Sequence, residues 1–252
     1  MEILKTSTEL VGFLSELYSK ERSARQNDTY LAHHGTPNDI LQKIFTFLEY
    51  KHFLPDTGRI LDWGCNHAPD SCLIRATFGS KYELHSCDFL APNYFTFFQH
   101  AAKTEYRSLA ECIKLPYDND FFDTIVASGA LEHVAFDSRS LEELHRVLKP
   151  DGTLIITYLP NALSYYEIFQ ERIRKKGFHM RRYTLSSAKK LLKSNGFFPI
   201  KAGYQTYFWE RRLASIGLKR KSLLAKVLYC LFPIHLIGGC LQLVAIKKTY
   251  MS

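Results

Sequence analysis

The chain has 252 residues, 46% of them hydrophobic, enough for one α/β domain with additions around a substantial core. Its net charge of +8 is local: all 25 acidic residues precede residue 211, while residues 211–252 carry eight Lys or Arg and no acid. Residues 1–210 therefore balance, which excludes a generally basic, nucleic-acid-coating surface and leaves one basic segment at the end of the sequence.

The opening residues, Met1-Glu2-Ile3-Leu4-Lys5, lack a long apolar run, so no signal peptide is expected. Leu10, Phe13, Leu14, Leu17 and Tyr18 share one helical face. A polar stretch, Lys20 to Gly35, follows and carries Tyr30, His33 and His34. Thr36-Pro37-Asn38-Asp39 then caps a second helix, with Ile40, Leu41, Ile44, Phe45 and Leu48 inward. These helices and the polar loop, residues 1–55, are expected to form an N-terminal layer and lid.

Residues 59–71, Arg-Ile-Leu-Asp-Trp-Gly-Cys-Asn-His-Ala-Pro-Asp-Ser, are the most informative stretch. Ile60, Leu61 and Trp63 read as the end of a buried strand, Gly64 begins a tight turn, and Pro69-Asp70-Ser71 opens a helix. A second strand, Tyr82 to Cys87, ends at Asp88, 24 residues after Gly64. Strand, turn, helix and an acidic residue after the next strand form a nucleotide-binding layout: the turn brings backbone N–H groups to the ligand and the carboxylate accepts the ribose hydroxyls. Strand and helix patterns alternate to about residue 158, which predicts a doubly wound, mostly parallel sheet. Ligands of such sheets bind beyond the carboxyl ends of the strands, which gathers Asp62, Gly64, Asp88, Ser128 and Tyr158 around one crevice. Residues 159–183, rich in aromatic and basic side chains, read as a substrate cap or as a helix packed on the rim.

Phe198–Thr206 and Leu241–Lys248 suit the last two strands. Between them lie Arg211-Arg212 and Lys219-Arg220-Lys221, then the uncharged run Val227 to Ile246 of 20 residues. Pro233, Gly238-Gly239 and Gln242 interrupt that run and argue against a membrane span. A basic apolar element over 211–239 that meets an anionic membrane surface or a partner fits better than a span, with an apolar helix packed on the sheet beside a solvated basic face as the alternative. The six cysteines include no Cys-x-x-Cys pair, so buried free thiols are expected, with no disulfide framework and no metal site.

Leu61-Asp62, Gly64-Cys65 and Asn66 resemble the first motif of the class I S-adenosylmethionine (SAM) dependent methyltransferases, Leu-Asp-x-Gly-Cys-Gly-x-Gly, with Asn66 and Ala68 in place of its second and third glycines. Asn tolerates a left-handed backbone, whereas Ala68 keeps a Cβ. Leu115-Pro116 to Phe122-Asp123, Leu131-Glu132-His133-Val134, Leu144 to Leu154 with its Lys149-Pro150-Asp151-Gly152 turn, and Tyr183-Thr184 to Gly196-Phe197 follow in the family's order. The resemblance spans roughly residues 56–200 and implies a Rossmann-like seven-stranded sheet, mostly parallel with an antiparallel last strand. The core is then expected over 56–210, with a basic apolar segment and final strand over 211–252.

The resemblance further implies SAM as cofactor and a role for each residue. Asp62 orients the turn and the methionine end. Gly64 and Asn66 supply backbone, Asp88 takes the ribose, and Phe89 packs on adenine. Ser128 and Gly129 line the donor methyl. The adenine-reading pair falls at Glu111-Cys112, with Ser108-Leu109 as the other register. His133 is the candidate base, since imidazole accepts a proton near neutral pH, with a purely structural role as the alternative. Tyr158, Asn161 and Tyr183 are substrate-side candidates. The function expected is methyl transfer to a small-molecule acceptor, on oxygen, of lipidic, quinone-like or glycan type, in the cytoplasm or at the inner face of a membrane. An RNA or protein methyltransferase and a non-enzymatic interaction protein stand as alternatives. Nucleic acid is disfavoured because Asn/Asp-Pro-Pro-Tyr is absent after the fourth strand.

Overall fold

The computed structural model describes residues 3–4, 6–26, 28, 31, 34–92, 94–111, 113–164, 181–205 and 239–248. Its elements run α1 (Ser7–Ala24), α2 (Pro37–Tyr50), a short 3-10 turn, β1 (Gly58–Trp63), α3 (Pro69–Phe78), β2 (Tyr82–Asp88), α4 (Thr96–Ala102), β3 (Glu105–Ser108), β4 (Phe122–Ser128), α5 (Asp137–Val147), β5 (Leu148–Pro160), α6 (Leu185–Ser194), β6 (Phe197–Tyr204) and β7 (Cys240–Lys247). The strands form one seven-stranded sheet in the order β3-β2-β1-β4-β5-β7-β6. β3, β2, β1, β4 and β5 pair in parallel, and β7 runs antiparallel to both β5 and β6. The α/β, Rossmann-like sheet with an antiparallel last strand is as the sequence predicts.

Successive side chains on each strand enter opposite cores, because the strand repeat is two residues. Leu61, Ile125, Leu154, Ile156 and Leu243 pack against Leu141 and Leu144 of α5 and Ala188 and Leu192 of α6. Ile60, Leu84, Val126, Ile155 and Val244 pack on the other face with α1 to α4. Burial on both faces explains why these strands read as unbroken apolar runs.

The helix starts follow local chemistry. Thr6 and Glu9 form a capping box on α1, and the Thr36 hydroxyl accepts from the Asp39 amide with Pro37 in the first turn of α2. α1 runs to Ala24, further than its apolar face alone indicates. Buried polar contacts fasten this N-terminal layer. The Tyr18 hydroxyl of α1 lies 2.5 Å from His67 Nε2, Glu21 accepts from the Phe97 amide at 2.9 Å, and the Tyr50 hydroxyl of α2 donates to Asp70 at 2.6 Å.

Tyr30, His33, Cys112, residues 165–180 of the expected cap 159–183 and residues 211–238 of the expected basic apolar segment 211–239 lie outside the described residues. Among the described residues no helix is long and apolar enough to cross a membrane.

Candidate active site

The turn after β1 is tied to the end of β2, with the amides of Gly64 and Cys65 both donating to the Cys87 carbonyl at 2.9 and 3.2 Å. Gly64 has φ +67, and a Cβ there would stand 2.6 Å from the Ala130 Cβ, so only glycine fits. Asn66 and Ala68 also adopt left-handed backbone, φ 48 and 58. Such strain in non-glycine residues is characteristic of functional turns. Ala68 is fully buried and does not line the adjoining cavity, so its Cβ takes no ligand space.

Asp88 closes the turn from the other side. Its Oδ2 accepts from the Asn66 amide at 2.7 Å and its Oδ1 from the Phe89 amide at 2.7 Å. An ionised carboxylate has about four acceptor positions, so two backbone bonds leave capacity for the two ribose hydroxyls. The Asn66 side-chain oxygen is buried and unpartnered, a second acceptor held in the turn. Phe89 is 57% exposed at the cavity wall, a flat apolar face for a base. The cradle that excludes a Cβ at Gly64 and the unused acceptors of Asp88 and Asn66 fit the adenosyl group of SAM.

Asp62 faces the start of α3, where its Oδ2 accepts from the Ser71 amide at 3.2 Å and hydroxyl at 2.6 Å. Burial, helped by the negative charge of Asp70, pushes the Asp62 carboxyl up to about 7. A cationic group at this end, such as an amino acid ammonium, would favour ionisation of Asp62.

One cavity of about 620 Å³ collects Asp62, Gly64, Asn66, Asp88, Phe89, Ser128, Gly129, His133 and Tyr158. Ser128 shares a 2.9 Å hydroxyl contact with Thr157. His133 is 59% exposed at the rim, its Nε2 3.7 Å from Glu132 Oε1. Tyr158 holds φ 57 and stacks against Lys43, whose ammonium lies 5.7 Å from the ring centroid.

Three expected positions do not belong to the cavity. Glu111 is exposed and off the wall, because the β2–β3 ladder ends with the Leu109 amide donating to the Asp88 carbonyl at 2.8 Å and the residues after it are no longer paired to β2. Leu109 lines the cavity instead, which favours the earlier register for the adenine contact. Asn161 is fully buried and pairs by backbone with Tyr183, and its side-chain oxygen accepts from the Leu163 amide. Tyr183 is buried with its hydroxyl donating to Asp137 at 3.0 Å. Both fasten the start of the cap segment to β5 and do not line the cavity.

His34 of the expected lid lines the cavity, and sequence reasoning passes over Gln42 and Lys43, which α2 brings to the wall, and Glu132. Glu132 belongs to the Leu131–Val134 motif, but its burial is set by residues distant in sequence.

Residues 61–156 match the family model described as a methyltransferase domain. A ubiquinone/menaquinone biosynthesis C-methyltransferase of Geotalea daltonii is 30% identical over 104 residues, 39% of this chain and 44% of that protein. Its counterpart in Neisseria gonorrhoeae is 37% identical over 49 residues, 19% of this chain and 20% of that protein. The chain thus spans less than half the length of these curated relatives. Among solved structures, a SAM-dependent methyltransferase of Thermotoga maritima superposes with a TM-score of 0.58 at 15% identity, over 82% of this chain and 89% of that one. The phosphoethanolamine N-methyltransferase 2 of Haemonchus contortus, in complex with SAM, gives 0.60 at 18% identity, over 81% and 52%. At these identities the structural likeness shows the fold alone, a class I, Rossmann-like methyltransferase fold, within which residues 61–156 match the methyltransferase domain model.

Proposed function

We propose that this chain transfers a methyl group from SAM to an oxygen of a small, lipidic, quinone-like or glycan acceptor. The observation that carries this reading is a cavity whose wall holds both the adenosyl cradle at Asp88 and Asn66 and the side chains of Lys43, Tyr158, Glu132 and His133. A volume of about 620 Å³ suits a cofactor and the reacting part of a small molecule. Bound SAM supplies a methyl group activated on a sulfonium. The chain's own residues bind, align and dry the site: the strained turn and Asp88 fix the donor, the α2 residues close the opposite wall, and the loop after β4 presents the acceptor side. Residues 1–55 serve as the lid in this account, through His34 and α2.

The curated relatives are named for quinone biosynthesis, which supports an apolar aromatic acceptor. The same names favour a second reading in which carbon receives the methyl. The test is mass spectrometry of cell extract incubated with the protein and methyl-labelled SAM, with the label located by fragmentation. A labelled small molecule carrying the methyl on oxygen is expected. A methyl on carbon favours the second reading, and label confined to RNA or protein fractions rejects the small-molecule acceptor.

A further inference from the structure

Glu132 differs from every other buried acid among the described residues. Glu21 accepts from the Phe97 amide, Asp62 from Ser71, Asp70 from the Tyr50 hydroxyl, and Glu143 from the Leu115 amide and Arg146. Each is consumed by holding two elements together. Glu132 is 2% exposed, and its Oε2 is enclosed with no partner. Leaving a buried carboxylate oxygen unsatisfied costs stability, so a structural role does not account for it.

Its position supplies another account. Glu132 forms part of the cavity wall. A Cβ at Gly129 would stand 3.6 Å from Glu132 Oε1 and 3.8 Å from Tyr158 Cβ, so this oxygen lies beside the turn at the end of β4. The exposed imidazole of His133 stands 3.7 Å from the same oxygen. Two titratable groups stand near it: His133 on its own loop, and Tyr183 before α6, whose hydroxyl donates to Asp137, itself paired with Arg181. None of these is a cation held against the carboxylate, and burial pushes its pKa up to about 7.

We propose that Glu132 is the catalytic base that takes the proton of the acceptor hydroxyl, and that His133 passes that proton to solvent. This rests on the methyltransferase reading above and deepens it, by requiring an acceptor that presents an O–H into the wall between Gly129 and Glu132. As the acceptor oxygen forms its bond to the methyl carbon, the methyl–sulfur electron pair stays on sulfur. The O–H proton moves to the Glu132 carboxylate, which becomes the acid. The proton then moves to the His133 imidazole and to water, restoring the carboxylate. A buried base alone would keep its proton, because a gap separates its oxygen from solvent, and the exposed imidazole of His133 stands between the two. The pair spans that gap.

The test uses the full chain with cell extract as acceptor pool and methyl-labelled SAM as probe. Glu132→Gln should lower the initial rate of labelled product by about a hundredfold or more, the scale of a lost general base. Glu132→Asp, which keeps a carboxylate, should retain part of the rate, and His133→Ala should lose less than Glu132→Gln. Both Glu132 variants should bind S-adenosylhomocysteine in calorimetry with wild-type affinity, and Glu132→Gln should melt above wild type at pH 8 because a strained charge is gone. A Glu132→Gln rate within about threefold of wild type, in a chain that binds the cofactor, overturns the role of Glu132 alone. So does a Glu132→Asp rate as low as that of Glu132→Gln when both are folded. Failure of the wild-type chain to bind S-adenosylhomocysteine rejects the methyltransferase reading itself, and this proposal with it.

Discussion

The hydroxyl of Tyr18 in α1 meets Nε2 of His67 at 2.5 Å, inside the turn that follows β1. Both residues are at most 1% exposed. Burial, with the positive charges of Lys43 and His34, holds the His67 imidazole well below its usual pKa, so the ring is neutral and shares a single proton with the Tyr18 hydroxyl in this bond. The N-terminal layer is thereby fixed directly to the cofactor turn. Tyr18→Phe removes that bond from a buried pair and is expected to cost about 1–2 kcal/mol in urea denaturation. SAM affinity should weaken in parallel. Loss of stability with unchanged affinity would separate the layer from the turn.

Gly64 is the second control on the turn. Its φ of +67 and the 2.6 Å separation that an added Cβ would have from the Ala130 Cβ act together. Gly64→Ala should destabilise the chain by about 1–3 kcal/mol, and should disturb the loop after β4 as well as the turn, because Ala130 lies two residues before Glu132. The check is the denaturation midpoint together with calorimetric affinity for SAM. An unchanged midpoint would show that the turn is not under this constraint.

Glu132 gives a pH signature whose sign is fixed. Its folded pKa, about 7, lies above the ordinary 4.5. Between those values the native state binds more protons than the unfolded chain, so this group's contribution to stability falls as pH rises from about 4.5 to about 7 and is constant above. Asp62, raised from 3.8 to about 7, acts in the same direction. His67 opposes both below about pH 6.5, where the unfolded imidazole protonates and the native one does not. Comparison of Glu132→Gln with wild type isolates the first effect. The stability difference should be small at pH 4.5 and should grow to about 3 kcal/mol in favour of the variant at pH 8, from 1.36 kcal/mol per pKa unit. A difference independent of pH would show that Glu132 does not titrate in this window.

Much of this site was legible because it is local. Gly64, Asn66 and Asp88 follow from a strand, a turn and a carboxylate at fixed spacing, and the two cores follow from apolar runs whose alternate residues face opposite helices. Positions that depend on register or on distant packing were not. β3 has only four residues and its pairing with β2 ends at the Leu109 amide, so Leu109 lines the cavity and the exposed Glu111 does not. The β5–β7 register shifts between Ile156 and Leu159, and Tyr158 takes a left-handed backbone there, so Asn161 pairs with Tyr183 and does not reach the cavity. Glu132 was hidden beside His133 because an imidazole titrates near neutrality wherever it stands, whereas a carboxylate does so only when buried.

The basic segment supplies a separate expectation. Residues 211–239 hold Lys219, Arg220 and Lys221 beside Leu223, Leu224, Leu228 and Leu231, with no acid after residue 210. Attraction to an anionic surface is worth about 1 kcal/mol per well-placed Lys or Arg. In liposome flotation, binding should rise with anionic lipid, fall with salt and weaken when these three become Gln. Equal recovery with neutral and anionic vesicles would reject membrane association.

The central claim is that SAM is held by the Gly64 turn and Asp88. Isothermal calorimetry of the full chain with SAM, wild type against Asp88→Ala, tests it most directly. Asp88 is bonded to the Asn66 and Phe89 amides, so circular dichroism and a thermal melt must show the variant folded. Wild type should show saturable one-to-one binding, and the variant a loss of about 1.5–3 kcal/mol, the scale of hydrogen bonds to a charged group. Unchanged affinity in a folded Asp88→Ala, or no binding by wild type, would contradict it.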